Sequence, residues 1–188
     1  MSGRGCRVAS QERILPSPAL FDVLERRRSV RVFADHPIDD SRLRRILEAA
    51  NAAPSAGNLQ AYEIYIVTER SRRRQLAAAA FSQDFLADAP VVLVFCANPR
   101  RNREQYGERG RDLYAIQDAT IACTFAMLAA TALGLATVWV GAFREDDVRR
   151  LVRASPQERP VALLPVGAAG EAPERPPRRR LDQLVHQV

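Results

Sequence analysis

The sequence contains no lysine; all 28 of its basic residues are arginines. That excludes Schiff-base chemistry by a lysine side chain. Histidine is almost as scarce. His36 and His186 stand towards opposite ends of the chain, and no Ser-His-Asp or metal-binding constellation can be built from them. The three cysteines, Cys6, Cys96 and Cys123, are odd in number and far apart. This argues against both a disulfide framework and a zinc site, so no metal is expected. Cys96 ends an apolar strand pattern and Cys123 lies in an apolar helix pattern, so both read as small core residues. No Gly-x-Gly-x-x-Gly fingerprint follows a strand, and no internal repeat is visible. No apolar run approaches the length of a membrane span. The first twenty residues are polar, basic and proline-containing, without the apolar centre of a signal peptide. The expectation is a cytoplasmic protein with a flexible tail over residues 1–18 and no membrane partner.

What is present fits one soluble domain over residues 19–188. The chain has 188 residues, 47% hydrophobic and 27% charged, enough for a sizeable core. The net charge of +6 raises the possibility of nucleic-acid binding. However, zinc-finger spacing, RNA-binding aromatic motifs and a clear helix-turn-helix are all missing, and the arginines are spread over many segments. A generic basic surface or anionic small-molecule partners, rather than nucleic acid, are therefore expected.

The densest basic stretch is Arg26-Arg27-Arg28-Ser29-Val30-Arg31-Val32-Phe33. Arginine offers planar, bidentate donors suited to phosphate, and Ser29 adds a small donor. Read alone, the stretch reads first as a solvated basic face at a helix end, where cations offset the helix dipole. Leu20 to Leu24 begin a short amphipathic helix that delivers it. Asp39, Asp40 and Ser41 are N-cap candidates for a helix carrying Leu43, Ile46, Leu47 and Ala50, ended by Pro54. Residues 62–67 read as a strand, 71–80 as a helix, 83–86 as a shorter helix and 90–96 as a buried strand. Residues 98–111 read as a charged loop. Residues 113–133 read as a long alanine-rich helix, apolar nearly all round, buried in a core or at a subunit interface. Residues 137–140 read as a short strand and 145–152 as a helix. Residues 161–167 read as a strand whose proline favours an edge or a strand end. Residues 168–188 form a proline- and charge-rich C-terminal arm.

Four stretches together resemble the flavin-dependent nitroreductase family, in its compact branch. They are Arg27-Arg28-Ser29-Val30-Arg31-Val32-Phe33, Ala53-Pro54-Ser55-Ala56-Gly57-Asn58-Leu59-Gln60, residues 134–143 from Gly134 to Phe143, and Arg178-Arg179-Arg180-Leu181. The resemblance implies an α+β fold, a central, mostly antiparallel sheet flanked by helices, in an intertwined homodimer. It also implies FMN as cofactor and NADH or NADPH as electron donor. By position, Arg27 and Ser29 correspond to residues that bind the flavin phosphate and ribityl chain, with Arg28 adding backbone contacts. Arg31 takes the place of a basic residue near N1 and O2 of the ring, where a cation stabilises reduced flavin. Arg178 and Arg180 resemble basic residues that close on the phosphate. Pro54, Ser55, Ala56 and Asn58 resemble a loop lent by the other subunit, and Gln60 and Gln83 are assigned to the polar edge of the ring. Val140 and Gly141 resemble the segment whose backbone N–H faces flavin N5, where glycine permits close approach. Ala61 and Tyr62 stand where the family often has Pro and Trp.

The implied activity is hydride transfer from NAD(P)H to a nitroaromatic, quinone or similar small-molecule acceptor by a ping-pong mechanism. Other flavin chemistry on the same scaffold, such as dehalogenation or flavin fragmentation, stays open at this level. So does a non-enzymatic flavin- or nucleic-acid-binding role.

Overall fold

A computed structural model describes residues 20–188; the expected tail over residues 1–18 lies outside them. The chain builds a central sheet from β1 (Phe33–Ala34), β2 (Tyr62–Val67), β3 (Val91–Ala97), β4 (Ala136–Thr137) and β5 (Arg159–Ala169). The order is β1-β5-β3-β2, with β4 also pairing β5, and all these strand pairs are antiparallel. The helices are α1 (Leu20–Arg26), α2 (Asp40–Asn51), α3 (Arg70–Ala79), α4 (Phe85–Asp88), α5 (Pro99–Arg109), α6 (Ala115–Ala132) and α7 (Glu145–Val152). This is the α+β class expected from the sequence.

Strand β3 explains why its sequence is one continuous apolar run. Alternate residues face opposite sides of a sheet. Val91, Leu93, Phe95 and Ala97 join a core with α2 and α6, while Val92, Val94 and Cys96 join a second core with α3 and α7. Both faces are covered, so no polar residue is tolerated on either. Along α6, Ala115, Ala119, Ala122, Cys123, Ala126 and Ala130 recur at helical spacing and are buried. Their small side chains let the helix lie close on the sheet, while Phe125, on another face of α6, stays exposed.

Contrary to the expectation that no apolar run approaches a membrane span, the helical stretch through residues 99–132 contains a window that does so by length and composition. In this fold it is a core helix, packed on β3 and β5 and carrying the buried Asp118.

Two further expectations change. Residues 98–111 are not a loop: α5 occupies most of that stretch, with Pro99 in its first turn and a break at Gly107, where φ is +58°. A single π-helical turn, Gly110–Tyr114, joins it to α6. Nor does Pro165 mark an edge, because β5 lies between β3 on one side and β4 and β1 on the other. Leu163 exchanges both backbone bonds with Val140 (3.0 and 2.9 Å). Two residues on, the missing N–H of Pro165 therefore points to the same side, into the gap between that bridge and β4. The pairs Ala136–Gly167, Thr137–Val166 and Val140–Leu163 share one register, so Pro165 stands opposite Val138, and the ladder is interrupted there.

The strand expected over residues 137–140 is reduced to β4 and a single bridge at Val140; other local signals hold. Asp39 caps α2, its carboxylate accepting the Arg42 N–H at 2.8 Å, a bond worth about 1 kcal/mol. The largely buried Arg73 donates to the carbonyls of Thr68, Ala87 and Ala89, fastening α3 to the end of α4.

Candidate functional site

The arginine stretch leaves α1 and passes beside β4. Val30 N–H donates to Thr137 O at 3.0 Å, and Ser29 forms a parallel bridge with Thr137. Thr137 is buried, and its Oγ1 has no partner among the described residues. This short pairing fixes the backbone that carries Arg27, Arg28, Ser29 and Arg31. The C-terminal arm returns over it, and the two segments enclose a cavity of about 540 Å³ lined by those four residues with Glu174, Arg175 and Arg178.

Arg27 is half-buried and held below the ordinary guanidinium value, chiefly by burial and then by the neighbouring charges of Arg178 and Arg28. Like charges are thus gathered at a partly desolvated point, which is unfavourable without a counter-charge. Among the described residues, none of the ion pairs involves Arg27, Arg28, Arg31 or Arg178. A hydroxyl and several unpaired guanidinium groups around one cavity are the donor set a phosphate group requires. Arg180 is not part of it: it turns to Asp182, at 2.7 Å.

A second group sits on the loop after β4. Val140 N–H is committed to Leu163 O, whereas the exposed Gly141 has no backbone hydrogen bond among the described residues. Of the two, Gly141 is therefore the one with a free amide. A Cβ there would lie 3.2 Å from Trp139 Nε1. Gln83 is brought alongside, its Nε2 donating to Ala142 O at 3.1 Å and Ala80 O at 2.9 Å.

The third group, residues 54–60, is held apart from the arginine cavity. Pro54, Ser55 and Ala56 line a separate depression of about 530 Å³ with Tyr114, Ile116, Gln117, Asp118, Thr120 and Ile121. The loop is internally fastened: Ser55 Oγ accepts the Gln60 N–H at 3.0 Å, and Gln60 Nε2 donates to Asn58 Oδ1 at 2.8 Å. Gly57, Asn58 and Gln60 all have positive φ, at 57°, 56° and 44°.

Three contributors were not legible in the sequence. Glu171 accepts the backbone N–H groups of Arg31 and Val32. Asp118 and Asn102 support the 54–60 loop from behind. Only Asp118 carried a signal, as the single charge within an otherwise uncharged helix. Among the described residues no cluster of His, Cys, Asp or Glu is arranged for a metal.

The sequence pattern of the nitroreductase family matches residues 24–83 and 71–168, which include all three groups up to the arm. The chain belongs to the nitroreductase family. A putative nitroreductase of Methanocaldococcus jannaschii is 33% identical, over 79% of this chain and 90% of its own length. An FMN reductase [NAD(P)H] of Bacillus subtilis is 30% identical, over 85% of this chain and 70% of its own. Among solved structures, the NADPH:FMN oxidoreductase from Vibrio harveyi complexed with NAD+ superposes with a TM-score of 0.82 at 27% identity. That match covers 89% of this chain and 76% of that one. Within the family frame, the arginine cavity, the Gly141 amide and the 54–60 loop are three parts whose donor chemistry fits a phosphate-bearing ring cofactor.

Proposed function

We propose that this nitroreductase-family chain is an FMN-dependent oxidoreductase that takes hydride from NADH or NADPH and passes it to a nitroaromatic, quinone or similar acceptor. The observation that carries the reading is the arginine cavity of about 540 Å³, where Arg27 and Arg178 crowd like charges with no carboxylate paired to them. The names of the relatives, FMN reductase and NADPH:FMN oxidoreductase, support the same cofactor and donor.

FMN, when bound, supplies reversible two-electron hydride acceptance, which needs no protein nucleophile. The chain's own residues bind and orient. Arg27, Arg28, Ser29 and Arg178 hold the phosphate and ribityl end. Arg31 places its cation towards the ring, where it favours the reduced form. Gly141 offers its free N–H, and Gln83 and Gln60 supply polar groups at the ring edge. Residues 54–58 serve the site of a second subunit. The separation of their depression from the arginine cavity supports that division of labour, as does the exposed Phe125 on α6. The working unit is a homodimer, each subunit one flavin-binding domain over residues 19–188 with residues 168–188 as an arm.

Donor and acceptor use the same face in turn, which gives ping-pong kinetics. The purified protein is expected to be yellow, and anaerobic NADPH is expected to bleach it. A colourless protein that takes up no FMN would overturn the reading. Double-reciprocal plots at several acceptor concentrations should be parallel; converging lines would remove the shared-face mechanism while leaving the flavin in place.

A further inference from the structure

Asp118 is 2% exposed in the first turn of α6, on the apolar face that packs into the core. Its carboxylate is satisfied by amide donors alone. Oδ1 accepts the Ala56 N–H at 2.9 Å, and Oδ2 accepts the Ala61 N–H at 3.3 Å and Asn102 Nδ2 at 3.0 Å. A buried carboxylate without such donors would be strongly unfavourable. The two backbone donors bracket residues 57–60, the tip and exit of the loop. Between them lie the three positive-φ residues, two of which are not glycine. Such conformations cost about 1 kcal/mol or more each and persist only where the surroundings impose them. The carboxylate holds the loop from the core side, which leaves Pro54 and Asn58 exposed on the outer side.

The third bond extends the anchor. Asn102 is fully buried on α5, and its Oδ1 has no partner among the described residues. Its backbone is packed against the π turn so closely that a Cβ on Gly110 would lie 2.3 Å from Asn102 O. On the far side of the loop, Tyr106 and Gln105 of α5 close over Gly57. Loop, α5 and the start of α6 are thereby joined through one side chain.

We propose that Asp118 is a positioning residue for the flavin site: it holds the 54–60 loop in its cofactor-binding shape and, through Asn102, makes that loop and α5 a single unit. This rests on the FMN reading above. In Asp118→Asn the amide can still accept from Ala56, but it sets a donor against the Ala61 N–H. Asp118→Ala removes all three bonds. The FMN dissociation constant should rise about tenfold in the Asn variant and further in the Ala variant. The salt dependence of binding should not change, because the arginine cavity is untouched.

The measurements are flavin-fluorescence titration at a temperature where circular dichroism shows each apoprotein folded, and amide hydrogen exchange on the parent apoprotein. The Ala56 and Ala61 amides should exchange far more slowly than that of Gly57, which has no hydrogen bond among the described residues, and should lose that protection in the variants while β3 keeps its own. Folded variants that bind FMN within twofold of the parent would overturn the proposal. So would rapid exchange at Ala56 and Ala61 in the parent, a result that does not depend on either variant folding. A parent that binds no FMN overturns the underlying reading instead, and the exchange pattern separates the two failures.

Discussion

Glu171 Oε1 accepts the backbone N–H of Arg31 at 2.5 Å and that of Val32 at 3.1 Å. With the Gly170 N–H donating to Val32 O at 2.8 Å, it fastens the start of the C-terminal arm to the arginine stretch. An arm whose residues beyond Pro173 are exposed has few other contacts to hold it. Two residues later the arm begins to line the arginine cavity, so this fastening sets the position of Arg178.

The first prediction follows from that attachment. Glu171→Ala should loosen the arm and weaken FMN binding by a few-fold, since a charge-assisted bond is worth about 1.5–3 kcal/mol and only part of it bears on the cofactor. Glu171→Gln keeps an acceptor and should lie between. Limited trypsin digestion reads the arm directly: cleavage after Arg178 and Arg180 should speed up in the Ala variant. Unchanged digestion and unchanged affinity would mean that the arm is held by something other than Glu171.

Arg27 and Arg31 share the cavity but differ in burial: Arg27 is half-buried beside Arg178, and Arg31 is exposed. Arg27→Ala should weaken FMN binding and leave the flavin potential nearly unchanged. Arg31→Ala should lower the potential by tens of millivolts, at about 30 mV per 1.4 kcal/mol for two electrons, and keep much of the oxidised affinity. Reductive titration of both variants against a dye of known potential decides. Equal potentials in Arg31→Ala and the parent would return Arg31 to the phosphate.

Much of this architecture is legible in the sequence where burial imposes a period. Strands β2 and β3 and helix α7 lie where apolar alternation, an unbroken apolar run and helical spacing put them. Helix α5 was not legible, for a physical reason. It buries Asn102 and no apolar side chain, and it is decorated instead by pairs such as Arg103–Glu108 and Arg100–Glu104. A search for apolar periodicity therefore sees only charge. The anchors were hidden differently. Asp118 and Ala56 are 62 residues apart, and Glu171 and Arg31 are 140 apart; no local pattern encodes such a bond. The arginine stretch was visible as composition. Its pairing with Arg178 rather than Arg180 depended on where the arm lands.

The buried thiols give a pH prediction. Burial, with Glu158 and Glu63 adding, pushes Cys96 up to about 12, and burial alone pushes Cys123 well above its ordinary value. Both should resist iodoacetamide at pH 8 in the native protein and label fully after unfolding, as peptide mapping would show. The sign of the linkage is set by protons: between about pH 9 and 12 the unfolded chain has released a Cys96 proton that the folded chain retains. Stability should therefore fall as pH rises through that window. Rapid native labelling of either residue would contradict the packing described.

Gly57 supplies the sharpest test of the loop against α5. Its φ is +57°, and a Cβ there would lie 2.4 Å from the Tyr106 hydroxyl oxygen. Gly57→Ala therefore faces two separable costs: the left-handed backbone, about 1–2 kcal/mol for a residue with a Cβ, and the collision with Tyr106. Tyr106→Phe removes the oxygen that collides and keeps the ring, including its edge-on contact with Tyr114 at 5.3 Å. The double variant should thus be more stable than the sum of the single changes predicts, with the backbone term and the milder approach to Gln105, at 3.2 Å, remaining. Urea unfolding of the four proteins gives that coupling directly. Strict additivity would mean that Tyr106 does not lie over Gly57, and that α5 and the 54–60 loop are not one unit.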